Sequence, residues 1–300
     1  MVVLAGGLEV RRFWCSFAVS FAVLVASTAG PFASTADAAV PKRYRDPVFS
    51  DVVMKSDITY GHAIDQTGTK IVLKLDLYRP KGDPLTSRPA IIWVHGGGFS
   101  GGDKLSLELV DEATQFAMKG YVNVSINYRL APASCVVDPG PQCILGIVQA
   151  MQDAQTAVRF LRSQATTLGI DPTRIAIGGS SAGAITAVNV GYNAADPGPG
   201  AHQGFSSAVG AVQSLSGAAI LTAPGPDGAA ALFFHGTADP LVPYAWAQET
   251  VNDAKAAGLV AVLRTWIGEG HVPYLEHRDQ ILEQTRNFFY KYLDLVDAPV

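Results

Sequence analysis

A strand-like run, Arg174-Ile175-Ala176-Ile177-Gly178, passes directly into Gly179-Ser180-Ser181-Ala182-Gly183 and then into a helical stretch from Ala184 to about Val190. Few local arrangements restrict a fold more. Glycine two residues to either side of Ser181 removes the Cβ atoms that would otherwise keep strand and helix apart, so the chain can reverse in a very sharp turn. Such a turn lifts the Ser181 hydroxyl clear of the sheet. It also sets the hydroxyl at a helix N-terminus, where free N–H groups and the helix dipole favour negative charge. The five-residue pattern alone recurs by chance in a chain with 30 glycines, so its meaning depends on what surrounds it.

The surroundings read as one α/β domain with a mostly parallel sheet. Asp57 to Tyr60 and Lys70 to Tyr78 alternate apolar and polar residues around Asp65-Gln66-Thr67-Gly68, which predicts an antiparallel hairpin. Ala90 to Val94 and Tyr121 to Ile126 are apolar runs of the kind buried on both faces of a sheet. Between them a helix is expected from Leu105 to Lys119, stopped by Gly120. Ile147, Met151, Ala154, Val158 and Leu161 recur every three or four residues and predict a helix from Ile147 to Leu168, ended by Gly169. Further strands are expected at Ala208 to Leu215, Ala230 to Phe234 and Val260 to Trp266, with helices at Tyr244 to Ala257 and His277 to Leu293. Strands alternating with helices after an antiparallel start give helices on both faces, with the active site at the carboxyl ends of the strands.

The apolar fraction of 48% supplies a sizeable core, and the net charge of −4 is spread without a basic block, which argues against a nucleic-acid partner. Near the N-terminus Arg11 and Arg12 precede an apolar run, Phe13 to Ala26, and Ala36-Asp37-Ala38 offers a small-x-small cleavage site. Residues 1–38 therefore read as a signal peptide and 39–300 as the single catalytic domain, secreted or periplasmic and without stable membrane insertion. An uncleaved anchor is the alternative, although the run is short for a bilayer span of about 20 residues. With Cys15 inside the signal, Cys135 and Cys143 form an even pair in a Pro- and Gly-bearing loop. In an exported chain that suggests a disulfide, with two free thiols as the alternative. No metal is expected, because no further Cys or His stands at ligand spacing.

A serine hydroxyl needs a base, and the base an acid to orient it. Of the six histidines, His62 lies in the hairpin, His202 in a Gly/Pro-rich loop, and His95 and His235 each end an apolar strand. His271 follows Gly268-Glu269-Gly270 just past the last strand and is the expected base, with His277 as the substitute. Asp239, in a short loop after the strand that ends at His235-Gly236, is the expected acid, with Glu269 as runner-up. Either Ser180 or Ser181 could be named the nucleophile, but only Ser181 has glycine at both −2 and +2. His95-Gly96-Gly97-Gly98-Phe99 lets backbone N–H groups converge: Gly97, Gly98 and Ala182 are the expected oxyanion donors. A phosphate loop is disfavoured, since no Lys follows at Walker spacing and no G-x-G-x-x-G fits.

With these residues in place the chain resembles the α/β-hydrolases, and more narrowly small carboxylesterases of the hormone-sensitive-lipase and feruloyl-esterase-like groups. The resemblance rests on His95 to Phe99 with Gly102-Asp103 behind it, on Asn127-Tyr128-Arg129-Leu130-Ala131-Pro132, on Gly169 to Ile175 leading into the serine turn, and on the order Ser181, Asp239, His271. It implies a secreted serine carboxylesterase without cofactor, acting on small-molecule or polymer-borne esters of short to medium acyl chains. Polyester, feruloyl or acetylxylan esterase is the alternative within catalysis, and a non-catalytic hydrolase-fold binding protein the alternative outside it. Ser180 stands where the family often has an acid. Little sequence is left for a cap, so an open site is expected. Tyr128 and Arg129 are expected to serve packing and an ion pair, and Phe99, the Cys135–Cys143 loop and Trp246 to line the pocket. Oligomeric state is left open.

Overall fold

The computed structural model describes residues 40–136 and 138–296; the expected signal peptide lies outside the described residues. In chain order the elements are β1 (Val52–Ile64), β2 (Lys70–Pro80), β3 (Arg88–Val94), α1 (Leu107–Ala117), β4 (Val122–Ile126), α2 (Pro141–Ser163), α3 (Ala165–Leu168), β5 (Ile170–Ser180), α4 (Ala182–Gly191), β6 (Ala211–Leu215), β7 (Ala230–Gly236), α5 (Tyr244–Ala256), β8 (Ala261–Trp266) and α6 (Tyr274–Tyr292). The strands form a single eight-stranded sheet in the order β1-β2-β4-β3-β5-β6-β7-β8. β1–β2 and β2–β4 pair antiparallel, and every pair from β4–β3 onward is parallel. The expected α/β-hydrolase architecture is thus present, with helices on both faces.

Two apolar layers flank the sheet, and the alternation of side chains along each strand assigns residues to them. Ile92 and Val94 of β3 join Val124, Phe233 and the buried stripe of α2, α4 and α5 on one face. Ile91 and Trp93 join Phe116 of α1 and Ile281 and Phe289 of α6 on the other. Trp93 is fully buried, and its indole N–H donates to Asn123 Oδ1 at 3.1 Å, so the largest core side chain leaves no polar group unpaired.

Five boundaries differ from the sequence reading. β1 starts at Val52 rather than Asp57, because its first residues gain pairing partners from β2 that periodicity does not reveal, Val52 opposite Pro80. α2 begins at Pro141, six residues before the first expected apolar position; proline suits a helix start, where its missing N–H costs nothing. The long helix also breaks at Gln164, leaving α3 as a separate turn that Gly169 ends in the left-handed region. β5 begins at Ile170, but an irregularity against β3 between Ile170 and Ile175 accommodates the Asp171 turn, whose carboxylate accepts from Thr173. α6 begins at Tyr274, and His277, expected to open it, instead sits inside a kink with its ring stacked on Trp266 at 4.1 Å.

The site's location follows from connectivity. β3 leads through α1 to β4 on one side, whereas β5 lies on the other side of β3. The loops leaving β3 and β5 therefore diverge over opposite faces and open a crevice at their carboxyl ends. Among the described residues no helix is inserted between β6 and β7.

Candidate active site

Ser181 stands in the crevice between β5 and α4 with φ 53 and ψ −120, a conformation that side-chain-bearing residues rarely adopt and that costs about 1–3 kcal/mol. Its N–H donates to Leu215 O at 2.9 Å and its carbonyl accepts from Ile185 N at 3.0 Å, which hold the strained residue from both sides. The two flanking glycines are needed for close approach. A Cβ on Gly183 would run into the Val94 carbonyl, and one on Gly179 would meet both Val94 O and Gly183. The turn is tight because strand β3, the start of α4 and the end of β5 pack backbone against backbone.

His271 reaches this serine from the loop after β8. A carboxylate can only accept, so the 2.8 Å contact between His271 Nδ1 and Asp239 Oδ2 puts the proton on Nδ1. In the neutral ring Nε2 then carries no proton and accepts the Ser181 hydroxyl at 2.7 Å. Asp239 is itself fixed by four donors. Oδ1 accepts from the Leu241 and Val242 amides at 2.9 and 3.0 Å, and Oδ2 faces both His271 and His235 Nε2, the latter at 3.2 Å. Burial would raise the Asp239 pKa, but these hydrogen bonds outweigh it and hold the carboxyl well below the usual carboxylate range. Asp239 therefore remains ionised opposite the imidazole.

Gly97 and Gly98 turn beside the serine with φ +111 and +59, and a Cβ on Gly97 would strike the Gly101 backbone. Their N–H groups and that of Ala182, the first residue of α4, have no acceptor among the described residues. The loop carrying them is anchored from below. His95 donates Nδ1–H to Gly96 O at 2.6 Å and stacks on Tyr128 at 4.3 Å, and the Tyr128 hydroxyl donates to His95 O. Burial pushes His95 below its ordinary pKa, against the opposing pull of its Gly96 bond, so it is a neutral structural ring. Arg129 pairs with buried Asp153 at 2.8 Å and donates to Ile64 O, tying the loop after β4 to α2 and the hairpin.

The remaining candidates fall elsewhere. Ser180 is buried and donates to Glu108 Oε1 at 2.7 Å. Glu269 reaches His277 at 3.3 Å, and neither contacts the serine. His62 is exposed on β1, and His202 bridges Ser163 and Tyr60 O. The sequence reading gave no role to His235, Glu108 or the Leu241 and Val242 amides. His235 stands four residues before Asp239, a spacing open to inspection, but nothing local links Glu108 to a serine 72 positions away.

Two depressions meet at Ser181. On one side lies an apolar cavity of about 260 Å³, walled by Phe99, Ile144, Ile185, Trp246 and the Cys135–Cys143 disulfide, whose Cα atoms are 4.9 Å apart. On the other an open recess of about 590 Å³ is lined by Gly96 to Gly98, Ser106, Glu108 and His271. No helix of the described residues is long and apolar enough to cross a membrane.

Known proteins resemble this chain in sequence and in fold. The BD-FAE family model matches residues 75–219, and the TAP-like protein model matches residues 209–291. The chain is 35% identical over 125 residues to acetylcholinesterase of Gallus gallus, an alignment covering 42% of this chain and 16% of that protein. It is 37% identical over 114 residues to phenmedipham hydrolase of Pseudarthrobacter oxydans, covering 37% and 21%. The chain thus spans less than a quarter of the length of these two relatives. Esterase 2 of Thermogutta terrifontis, solved as its tabun adduct, superposes with a TM-score of 0.65 at 22% identity, over 85% of this chain and 98% of that one. In fold and in family-model matches that together run from β2 into α6, the chain belongs to the α/β-hydrolase superfamily.

Proposed function

We propose that this protein is an exported serine carboxylesterase that hydrolyses esters through an acyl-enzyme. The observation that carries the proposal is the unbroken relay Ser181 Oγ, His271 Nε2, His271 Nδ1, Asp239 Oδ2, with both contacts under 3 Å and the serine facing a cavity. His271 takes the Ser181 proton as Oγ attacks the ester carbonyl. The carbonyl oxygen becomes an oxyanion held by the Gly97, Gly98 and Ala182 N–H groups. Each such donor is worth about 2.7–4 kcal/mol. His271 then gives its proton to the departing alkoxide, and an alcohol leaves. Water repeats the sequence on the acyl-enzyme, releasing the acid and restoring Ser181. Asp239 holds His271 in the required tautomer throughout.

The relatives named as an esterase and as hydrolases support ester hydrolysis as the reaction class. The apolar cavity is small, about 260 Å³, which favours short to medium acyl chains. Export is proposed from the charged and apolar segment before Ala38 and is supported by the Cys135–Cys143 bond, which persists in oxidising compartments. Residues 39–300 are proposed as the single mature domain.

Labelling with a fluorophosphonate probe and turnover of p-nitrophenyl butyrate test the reading together. Wild type should label once, at Ser181, and Ser181→Ala should lose the label and at least about 10³-fold in kcat. Full turnover by Ser181→Ala would sink the assignment.

A further inference from the structure

The two depressions at Ser181 differ in chemistry, and the proton donor lies in only one of them. His271 lines the open recess and is absent from the lining of the apolar cavity. In the esterase reading, on which this inference rests, His271 must protonate the leaving oxygen, so the alcohol departs through the recess and the acyl chain occupies the apolar cavity. The recess contains Glu108. Its Oε1 accepts the Ser180 hydroxyl at 2.7 Å, its Oε2 has no partner among the described residues, and no Lys or Arg pairs with it there. Glu112, one turn further along α1, adds no charge: burial, then the neighbouring Glu108 and Asp111, push its carboxyl well above the ordinary range, so it stays protonated. Among the described residues, Glu108 and His271 are thus the only titratable side chains lining the recess.

We propose that Glu108 is a specificity-determining residue that selects esters by the charge of their alcohol, favouring alcohols bearing a positive group and rejecting those bearing an anion. The reason is Coulombic. An unpaired carboxylate beside a low-dielectric wall attracts a cation that reaches to within several ångströms, and repels an anion at the same distance. The apolar cavity offers no such discrimination to the acyl half.

The test uses three butyrate esters of matched shape, hydrolysed in a pH-stat at low ionic strength: 3-(trimethylammonio)propyl, 4,4-dimethylpentyl and 3-sulfopropyl butyrate. Wild type should rank cation above neutral above anion in kcat/KM, each step about tenfold, equivalent to about 1.4 kcal/mol. Glu108→Gln keeps the acceptor for Ser180 and should bring the three esters to within about threefold of one another, whatever its absolute rate. Ser180→Ala removes that hydrogen bond but not the charge and should preserve the ranking; a merely structural role for Glu108 would change all three rates alike in both variants. Should Glu108→Gln fail to fold, salt serves instead: the wild-type ranking must flatten towards about 1 M, where the Debye length is about 3 Å. A flat or reversed wild-type ranking, or one that survives Glu108→Gln or high salt, overturns the proposal while leaving the esterase reading intact. Loss of all turnover together with an unlabelled Ser181 would instead remove the esterase reading itself.

Discussion

Asp239→Asn is the most searching single substitution, because its effect can be followed atom by atom. Oδ1 of Asp239 accepts from the Leu241 and Val242 amides at 2.9 and 3.0 Å, so an asparagine must place its carbonyl oxygen there; the flipped amide would set an NH₂ against two N–H donors. The NH₂ therefore takes the position of Oδ2, facing His271 Nδ1 and His235 Nε2. His235 can keep its other acceptor, Val242 O at 2.8 Å. His271 has no such alternative and accepts from the asparagine at Nδ1, which moves its proton to Nε2. A protonated Nε2 points a donor at the Ser181 hydroxyl and cannot take its proton. The packing is unchanged and only the tautomer is wrong, a defect that costs about 10⁴ in kcat in the serine-protease example from which that figure comes, or about 5.4 kcal/mol at 1.36 kcal/mol per decade. Burst and steady-state turnover of p-nitrophenyl butyrate would measure the loss, with thermal unfolding as the check on folding. A folded Asp239→Asn enzyme within about tenfold of wild type would refute the relay reading.

Two further predictions concern stability. The folded state keeps Glu112 protonated, whereas in the unfolded chain it titrates near its ordinary value of 4.5, so the unfolded state binds fewer protons above that pH and stability falls as pH rises. Glu112→Gln removes this loss and should raise Tm more at pH 8 than at pH 4; an equal or larger gain at pH 4 would show that Glu112 is not held protonated. Cys135 and Cys143 are eight positions apart, and closing so short a loop is worth about 2.5 kcal/mol in the chain-entropy account. The double variant Cys135→Ala/Cys143→Ala should lower Tm by about 5–10 °C in differential scanning calorimetry. An unchanged Tm in wild type treated with and without reductant would mean that the bond adds nothing to the fold.

The strand–turn–helix around Ser181 was legible because its causes are local. Gly179 and Gly183 are required by contacts within the turn and with one neighbouring strand, and an apolar run entering such a turn has few other uses. The same holds for the glycines after His95 and for the parallel core, which periodicity and short glycine-ended loops announce. Element starts were less legible where a pairing partner or a kink sets them, as at Val52 and at His277, whose stacking on Trp266 involves residues from different elements.

What the sequence by itself determined is the class of fold, the sharp serine turn and a short set of residues at strand ends. These follow from side-chain period, from missing Cβ atoms and from the order of elements. What only the tertiary structure decided is which of those residues meet. It brought His271 rather than His277 to Ser181, turned Ser180 away to Glu108 and placed His235 behind Asp239. It also left one side of Ser181 apolar and the other facing an unpaired carboxylate. Such distinctions depend on distances of 2.7–3.3 Å between residues as many as 90 positions apart. Such distances arise only when the whole sheet has fixed where each loop begins.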